Sequence, residues 1–198
     1  MSLNIYGKSL ASKITSVGVD KKRLYTIAAH EAGHIFFLHS VLRFSGTHGG
    51  IEGNGGYASC DQTRTNNTFI QALNSANDPK FAWNLLKMYQ AGIAGEALLT
   101  GSYRLDCSER DRQNTFNFLQ KYEKHMPHWF PCYGNYKNIS SAWKDDKRLS
   151  KFGKEVLSAN LDETFYLLKA NIDKILQLAN VINDAKFITP KQVAAILG

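Results

Sequence analysis

The chain has 198 residues, 43% of them hydrophobic and 21% charged, and its formal net charge is +7. These values are typical of a globular domain with a buried core, and no run of about 18 apolar residues predicts a membrane-spanning helix. The positive charge is compatible with nucleic-acid binding. However, Asp145 and Asp146 interrupt the densest basic stretch, residues 137–154, and no known nucleic-acid-binding module is present. We therefore predict no nucleic-acid partner and no membrane segment.

The N-terminal residues 1–20 are mostly small and polar and predict a weakly structured segment. They lack the apolar core of a signal peptide. The chain has three cysteines, too few and too scattered for a disulfide framework or a cysteine-based zinc site. We expect a single domain over residues 1–198 and a reducing, cytoplasmic location.

The first predicted helix runs from Lys21 to about Leu42, where apolar residues recur near a 3.6-residue period. Asp20 is its expected N-cap. A glycine-rich stretch follows within residues 41–60. It predicts two short strands around a turn, with Val41–Phe44 and Gly56–Cys60 as the candidates.

A second, apolar helix is predicted from Asp78-Pro79 to Thr100. Proline in the first turn and Gly101 after the last turn are the usual signals of helix ends. A third helix is predicted from about Ser108 to Lys124.

Residues 125–138 are rich in aromatic residues, proline and glycine, and they predict an ordered loop. Helices follow at about 146–157 and 160–183, and Thr189-Pro190 opens a short final helix. The sequence therefore predicts a mainly α (α+β) fold with a small β-hairpin after the first helix.

The first helix contains the sequence His30-Glu31-Ala32-Gly33-His34, an HExxH match. Residues four apart lie on one face of a helix, so both imidazoles can reach a single zinc ion. Glu31 is placed to take a proton from a zinc-bound water, which the metal makes nucleophilic near neutral pH. The motif predicts a zinc peptidase with Glu31 as its general base.

A catalytic zinc site needs a third protein ligand and one open position. Glu96 is a candidate because it lies on an otherwise apolar helix, where a buried carboxylate needs a partner. Asp106, Glu109 and Asp111 are candidates near the start of the next helix. Spacing alone does not choose among them.

Several segments resemble, in order, the FtsH-type metallopeptidases, which form the peptidase half of ATP-dependent membrane proteases. They are TIAAHEAGHIFF, AGIAGEALLTG, SERDRQNT and the C-terminal YLLKANIDKILQLANVINDAKFITPKQVAAIL. The resemblance covers residues 24–197 except for 125–150, and it implies a zincin-like helical peptidase domain. HExxH alone is shared with many zinc peptidases, so the ordered set carries the resemblance.

The resemblance implies that His30 and His34 bind zinc and that Glu31 is the general base. It makes Asp111 the third ligand. Glu96 matches a family glutamate that lies close to the zinc helix and can orient a ligand imidazole.

The sequence also departs from the family, with Ile93, Ala97 and Thr115 in place of an arginine, a second glutamate and an alanine. The ATPase module and membrane segments of the family are missing from this sequence. We therefore expect flexible or unfolded polypeptides as substrates, or a separate ATPase that unfolds them. The alternative is a non-catalytic zinc-binding relative that acts as a protein-interaction module.

Overall fold

The computed structural model describes residues 19–61, 78–104, 108–122, 124–130 and 136–198. Residues 1–18 of the predicted weakly structured segment lie outside these ranges, as does the alternative ligand Asp106. The described part of the chain is mainly helical with a small antiparallel sheet, as predicted. Within it, no helix is both long enough and apolar enough to cross a membrane.

The first helix, α1, spans Val19–Phe36 and continues into a π-helical turn at Phe37–Val41. The predicted extent of the first helix, from Lys21 to about Leu42, is thereby confirmed. Asp20 lies inside the helix, so its prediction as the N-cap was wrong. The apolar face of α1 is fully buried along Ala28, Ala29, Ala32 and Ile35.

Strands β1 (His48–Glu52) and β2 (Gly55–Ser59) form the predicted hairpin. The two-residue turn begins with Gly53 at φ +57°, a conformation that glycine adopts without strain. The prediction of the first strand at Val41–Phe44 was wrong, because Val41 ends the π-helical turn and Arg43 has a φ of +59°. A short strand, β3 (Phe187–Ile188), pairs with β1 and gives the order β2-β1-β3.

Helix α2 spans Pro79–Thr100, and α3 spans Glu109–Tyr122, both as predicted. The Asp78 side chain accepts hydrogen bonds from two backbone N–H groups of the first turn of α2. Gly101 ends that helix in the left-handed conformation at φ +76°.

The C-terminal half contains α4 (Met126–Trp129), α5 (Ser141–Lys144), α6 (Lys151–Ala170), α7 (Ile172–Ala185) and α8 (Pro190–Leu197). The predicted break between residues 157 and 160 was wrong, because α6 is continuous there and ends at Ala170, with Asn171 as its C-cap. The predicted start of the last helix was correct: Thr189 and Gln192 form a capping box around Pro190.

The core forms where α1 packs against α2 and α7 and where α6 packs against α2. Glycines let α1 and α2 approach backbone to backbone. A Cβ on Gly33 would lie 2.2 Å from the carbonyl oxygen of Ala91, and one on Gly95 would lie 2.4 Å from that of Ala29. This close contact brings the HExxH residues directly against α2.

Candidate metal centre

The two histidines of the HExxH sequence lie side by side on the buried face of α1. The Nε2 atoms of His30 and His34 are 3.1 Å apart, and each residue is only 6% exposed. The predicted helical spacing therefore brings both imidazoles to one point.

Space for the His30 ring comes from Gly92 of α2. A Cβ at Gly92 would lie 2.3 Å from Nε2 and Cε1 of that ring, so no larger residue fits without moving it. The glycine is part of the site, although the sequence indicated it only as a small residue in an apolar helix.

Asp111, from the first turn of α3, completes the cluster. Its Oδ2 lies 2.8 Å from Nε2 of His30 and 3.1 Å from Nε2 of His34. The Glu109 side chain is 62% exposed and pairs with Arg112 instead. Within the described residues, His30, His34 and Asp111 are the group whose donor atoms converge closely enough to hold one metal ion.

The other ring nitrogens of the histidines are held by α2. Oε1 of Glu96 lies 2.7 Å from Nδ1 of His30, and the carbonyl oxygen of Met88 lies 2.8 Å from Nδ1 of His34. Glu96 is fully buried, and its Oε2 accepts a hydrogen bond of 2.9 Å from the backbone N–H of Arg104. Glu96 and Asp111 therefore lie at opposite nitrogens of the His30 ring. The Met88 carbonyl was not predicted, because a backbone acceptor leaves no sequence signal.

These contacts fix the tautomers. A carbonyl and a carboxylate oxygen only accept hydrogen bonds, so Nδ1 of both His30 and His34 carries the hydrogen. In the neutral rings, both Nε2 atoms then present lone pairs toward each other and toward the oxygen of Asp111. Three electron-pair donors at this distance repel one another unless a proton or a metal ion lies between them.

The close approach of these donor atoms also shifts the pKa values of His30 and Asp111. Burial alone would lower the pKa of His30, but its hydrogen bonds to Asp111 and Glu96 outweigh burial and raise that pKa to about 10. Burial likewise opposes the charge of Asp111, but the two imidazoles hold the pKa of its carboxyl well below the ordinary value. The cluster therefore stabilises a positive charge between its three residues.

Glu31 lies at the edge of the cluster, beneath strand β2. It is 5% exposed, and a Cβ on Gly56 would lie 2.6 Å from both its Cγ and its Oε1. Burial raises the pKa of Glu31, while the charges of His30 and His34 act in the opposite direction. A buried carboxylate with a raised pKa is suited to accepting and returning a proton.

The donor set fits a zinc ion. Zinc in proteins binds imidazole nitrogens and carboxylate oxygens at about 2.0–2.2 Å, and tetrahedral ligand atoms are then roughly 3.3 Å apart. The separations of 2.8–3.1 Å in the cluster require only a small outward movement. The Nδ1 contacts of both histidines match the outer hydrogen bonds typical of zinc-bound imidazole.

No protein-family model matches this chain, and no curated protein matches it. The FtsH-type resemblance therefore stays a prediction based on the motifs.

Proposed function

We propose that the chain is a zinc-dependent metalloendopeptidase of the FtsH type, with His30, His34 and Asp111 as ligands and Glu31 as general base. The observation that carries this proposal is the convergence of the three donor atoms within 3.1 Å of one another, beside a buried glutamate from the same helical turn.

Zinc at this position would polarise a peptide carbonyl and lower the pKa of a water molecule toward about 7. The protein's own residues supply the proton transfers and the orientation. Glu31 takes a proton from the attacking water and delivers it to the leaving amine nitrogen. Glu96 and the Met88 carbonyl hold the two imidazoles in the tautomer that leaves Nε2 free to bind the metal.

Strand β2 favours an extended polypeptide as the substrate. It lies at the edge of the described sheet, and Gly56 in the strand contacts Glu31. An extended peptide can add to such an edge by main-chain hydrogen bonding, which brings its carbonyl groups past the general base. Only flexible or unfolded chains can adopt this conformation, so folded substrates would need a separate ATPase to unfold them.

The test is metal content combined with turnover. Purified protein should contain close to one zinc per chain and should cleave casein in a chelator-sensitive manner. Glu31→Gln should keep the metal and lose roughly 10²–10⁴-fold in cleavage rate, because an amide accepts no proton. A Glu31→Gln protein that cleaves at the wild-type rate would exclude this mechanism. Zinc binding without turnover on any peptide would favour the interaction module instead.

A further inference from the structure

Asp111 differs from the two histidines because it comes from another helix. The spacing of His30 and His34 is set by one turn of α1, whereas Asp111 depends on where the first turn of α3 lies. Around it, Glu109, Arg110 and Gln113 are exposed. The buried residues near this end, Ser108 and Thr115, are polar. The buried apolar residues of α3 lie toward its other end: Phe118, Leu119 and Tyr122.

The residue that follows Asp111 is held from several directions. Nη2 of Arg112 lies 3.1 Å from Oδ2 of Asp146, and its Nη1 lies 3.6 Å from Oε2 of Glu109. Its guanidinium carbon lies 5.6 Å from the ring centroid of Trp143. The Arg112 side chain is only 15% exposed. Arg112 therefore connects the first turn of α3 to the segment around α5.

Asp146 is a rigid partner for this arginine. Its side chain is 4% exposed, and Arg148 binds it through two parallel hydrogen bonds of 3.0 and 2.8 Å. The backbone N–H of Arg148 donates a further hydrogen bond of 3.0 Å to the same carboxylate. Asp146 therefore has three hydrogen bonds from Arg148 in addition to its contact with Arg112.

Trp143 links the segment around α5 to helix α2. Its Nε1 donates a 2.8 Å hydrogen bond to Oε1 of Gln90, which is fully buried. Gln90 in turn donates to Oδ1 of Asn160 at 2.8 Å. Gln90 stands two residues after Met88, whose carbonyl holds His34. One turn of α2 thus holds both a histidine ligand and the segment that binds Arg112.

We propose that Arg112 and Asp146 are positioning residues that set the place of Asp111 in the metal centre. This inference rests on the proposed zinc site. The Arg112 side chain, held by Asp146 just after α5, fixes the first turn of α3 at the distance from α1 that the metal requires. The resemblance to FtsH-type peptidases does not cover residues 125–150, so this support belongs to the chain itself.

The test uses Co²⁺, whose visible absorption reports the number and geometry of its ligands, bound to the full chain. Arg112→Met removes the contact and leaves Asp146 paired with Arg148, so no buried carboxylate is left unpaired. We expect Co²⁺ affinity about tenfold weaker than wild type and an altered spectrum. Arg112→Lys retains a cation opposite Asp146 and should recover part of the affinity. The double variant Asp146→Asn/Arg112→Met should lose no more Co²⁺ affinity than the weaker-binding single variant. Both substitutions remove the same contact between Arg112 and Asp146.

The matched control is Glu163→Gln, which removes a 2.8 Å ion pair with Lys87 between α6 and α2 without touching α3. It should lower thermal stability and leave the Co²⁺ affinity and spectrum unchanged. Wild-type affinity and spectrum in Arg112→Met would overturn the positioning role and leave the metal centre intact. If Arg112→Met does not fold by circular dichroism, wild-type Co²⁺ affinity and spectrum in Asp146→Asn would overturn it. A wild-type protein that binds no Co²⁺ would instead refute the metal centre.

Discussion

Gly92→Ala tests the geometry of the metal centre with a single methyl group. The added Cβ would lie 2.3 Å from Nε2 and Cε1 of His30 and 2.6 Å from Cδ2. The ring cannot simply turn away, because Glu96 and Asp111 hold its two nitrogens at 2.7 and 2.8 Å. Either the ring leaves the position that a metal requires, or α1 and α2 move apart.

The expected effect of Gly92→Ala on zinc affinity is larger than its expected effect on the stability of the metal-free protein. Alanine is better than glycine in a helix by about 1 kcal/mol, and overpacking costs about 1–3 kcal/mol. Metal-free Gly92→Ala should therefore be less stable than wild type by about 0–2 kcal/mol. Displacement of a ligand ring should weaken zinc binding by about a hundredfold or more, since loss of an outer hydrogen-bond partner alone costs about 10–100-fold. A hundredfold loss reduces the stabilisation by excess zinc by about 2.7 kcal/mol.

The assay compares thermal unfolding in chelator and in excess zinc, with zinc affinity measured by competition against a chromophoric chelator. The control is Gly153→Ala in α6, where the nearest atom to the new Cβ is Oγ of Ser150 at 3.3 Å. It makes the same chemical change away from the site and should leave zinc affinity unchanged. Wild-type zinc affinity in Gly92→Ala would refute the proposed position of His30 as a ligand.

Glu96→Gln should weaken zinc binding by about 10–100-fold, because an amide has one acceptor oxygen where Glu96 accepts from both His30 and Arg104; unchanged affinity by chelator competition would contradict this. Asp146 should also make stability depend on pH. The hydrogen bonds of Arg148 lower the pKa of the Asp146 carboxyl from 3.8 to about 2, so the ionised carboxylate stabilises the folded protein. Since the folded-state pKa is the lower one, this stability is present above about pH 4 and is lost as the pH falls through about 2. Urea unfolding at about pH 5 and pH 2.5 should therefore show the wild-type advantage over Asp146→Asn shrinking at the lower pH, and a constant difference would contradict the assignment.

Helix ends were predictable where the determining residues are local. Asp78, Pro79 and Gly101 fix the ends of α2, and Thr189 with Pro190 fixes the start of α8. Capping depends on residues three or four positions apart, so the sequence contains the whole interaction.

One error arose where a distant contact decides the structure, and another where two successive helices share one apolar period. The apolar run at Val41–Phe44 predicted a strand, but the chain leaves α1 through a π-helical turn, and β1 forms further along, where it also pairs with β3. The break between α6 and α7 was misplaced because both helices have the same apolar period. The structure places it at Asn171, whose side chain donates to the carbonyl of Leu167.

The residues of the candidate site differ in the same way in how far the sequence predicts them. His30, Glu31 and His34 follow from spacing within one helix, because a helix places residues i and i+4 on one face. Asp111 did not follow from spacing, since Asp106, Glu109 and Glu96 offered the same chemistry. Only the motif resemblance favours Asp111 from the sequence, and the structure brings its carboxylate to the two histidines.

Helix α2 contributes none of the three residues of the candidate metal centre, yet it contacts that centre at several points. It gives space to His30 at Gly92, accepts a hydrogen from each imidazole at Glu96 and Met88, and receives the Trp143 hydrogen bond at Gln90. The candidate ligands come from α1 and α3, but their positions are set by contacts with α2 or through it. Substitutions in α2 that touch no metal should therefore change metal affinity more than substitutions on the exposed face of α3.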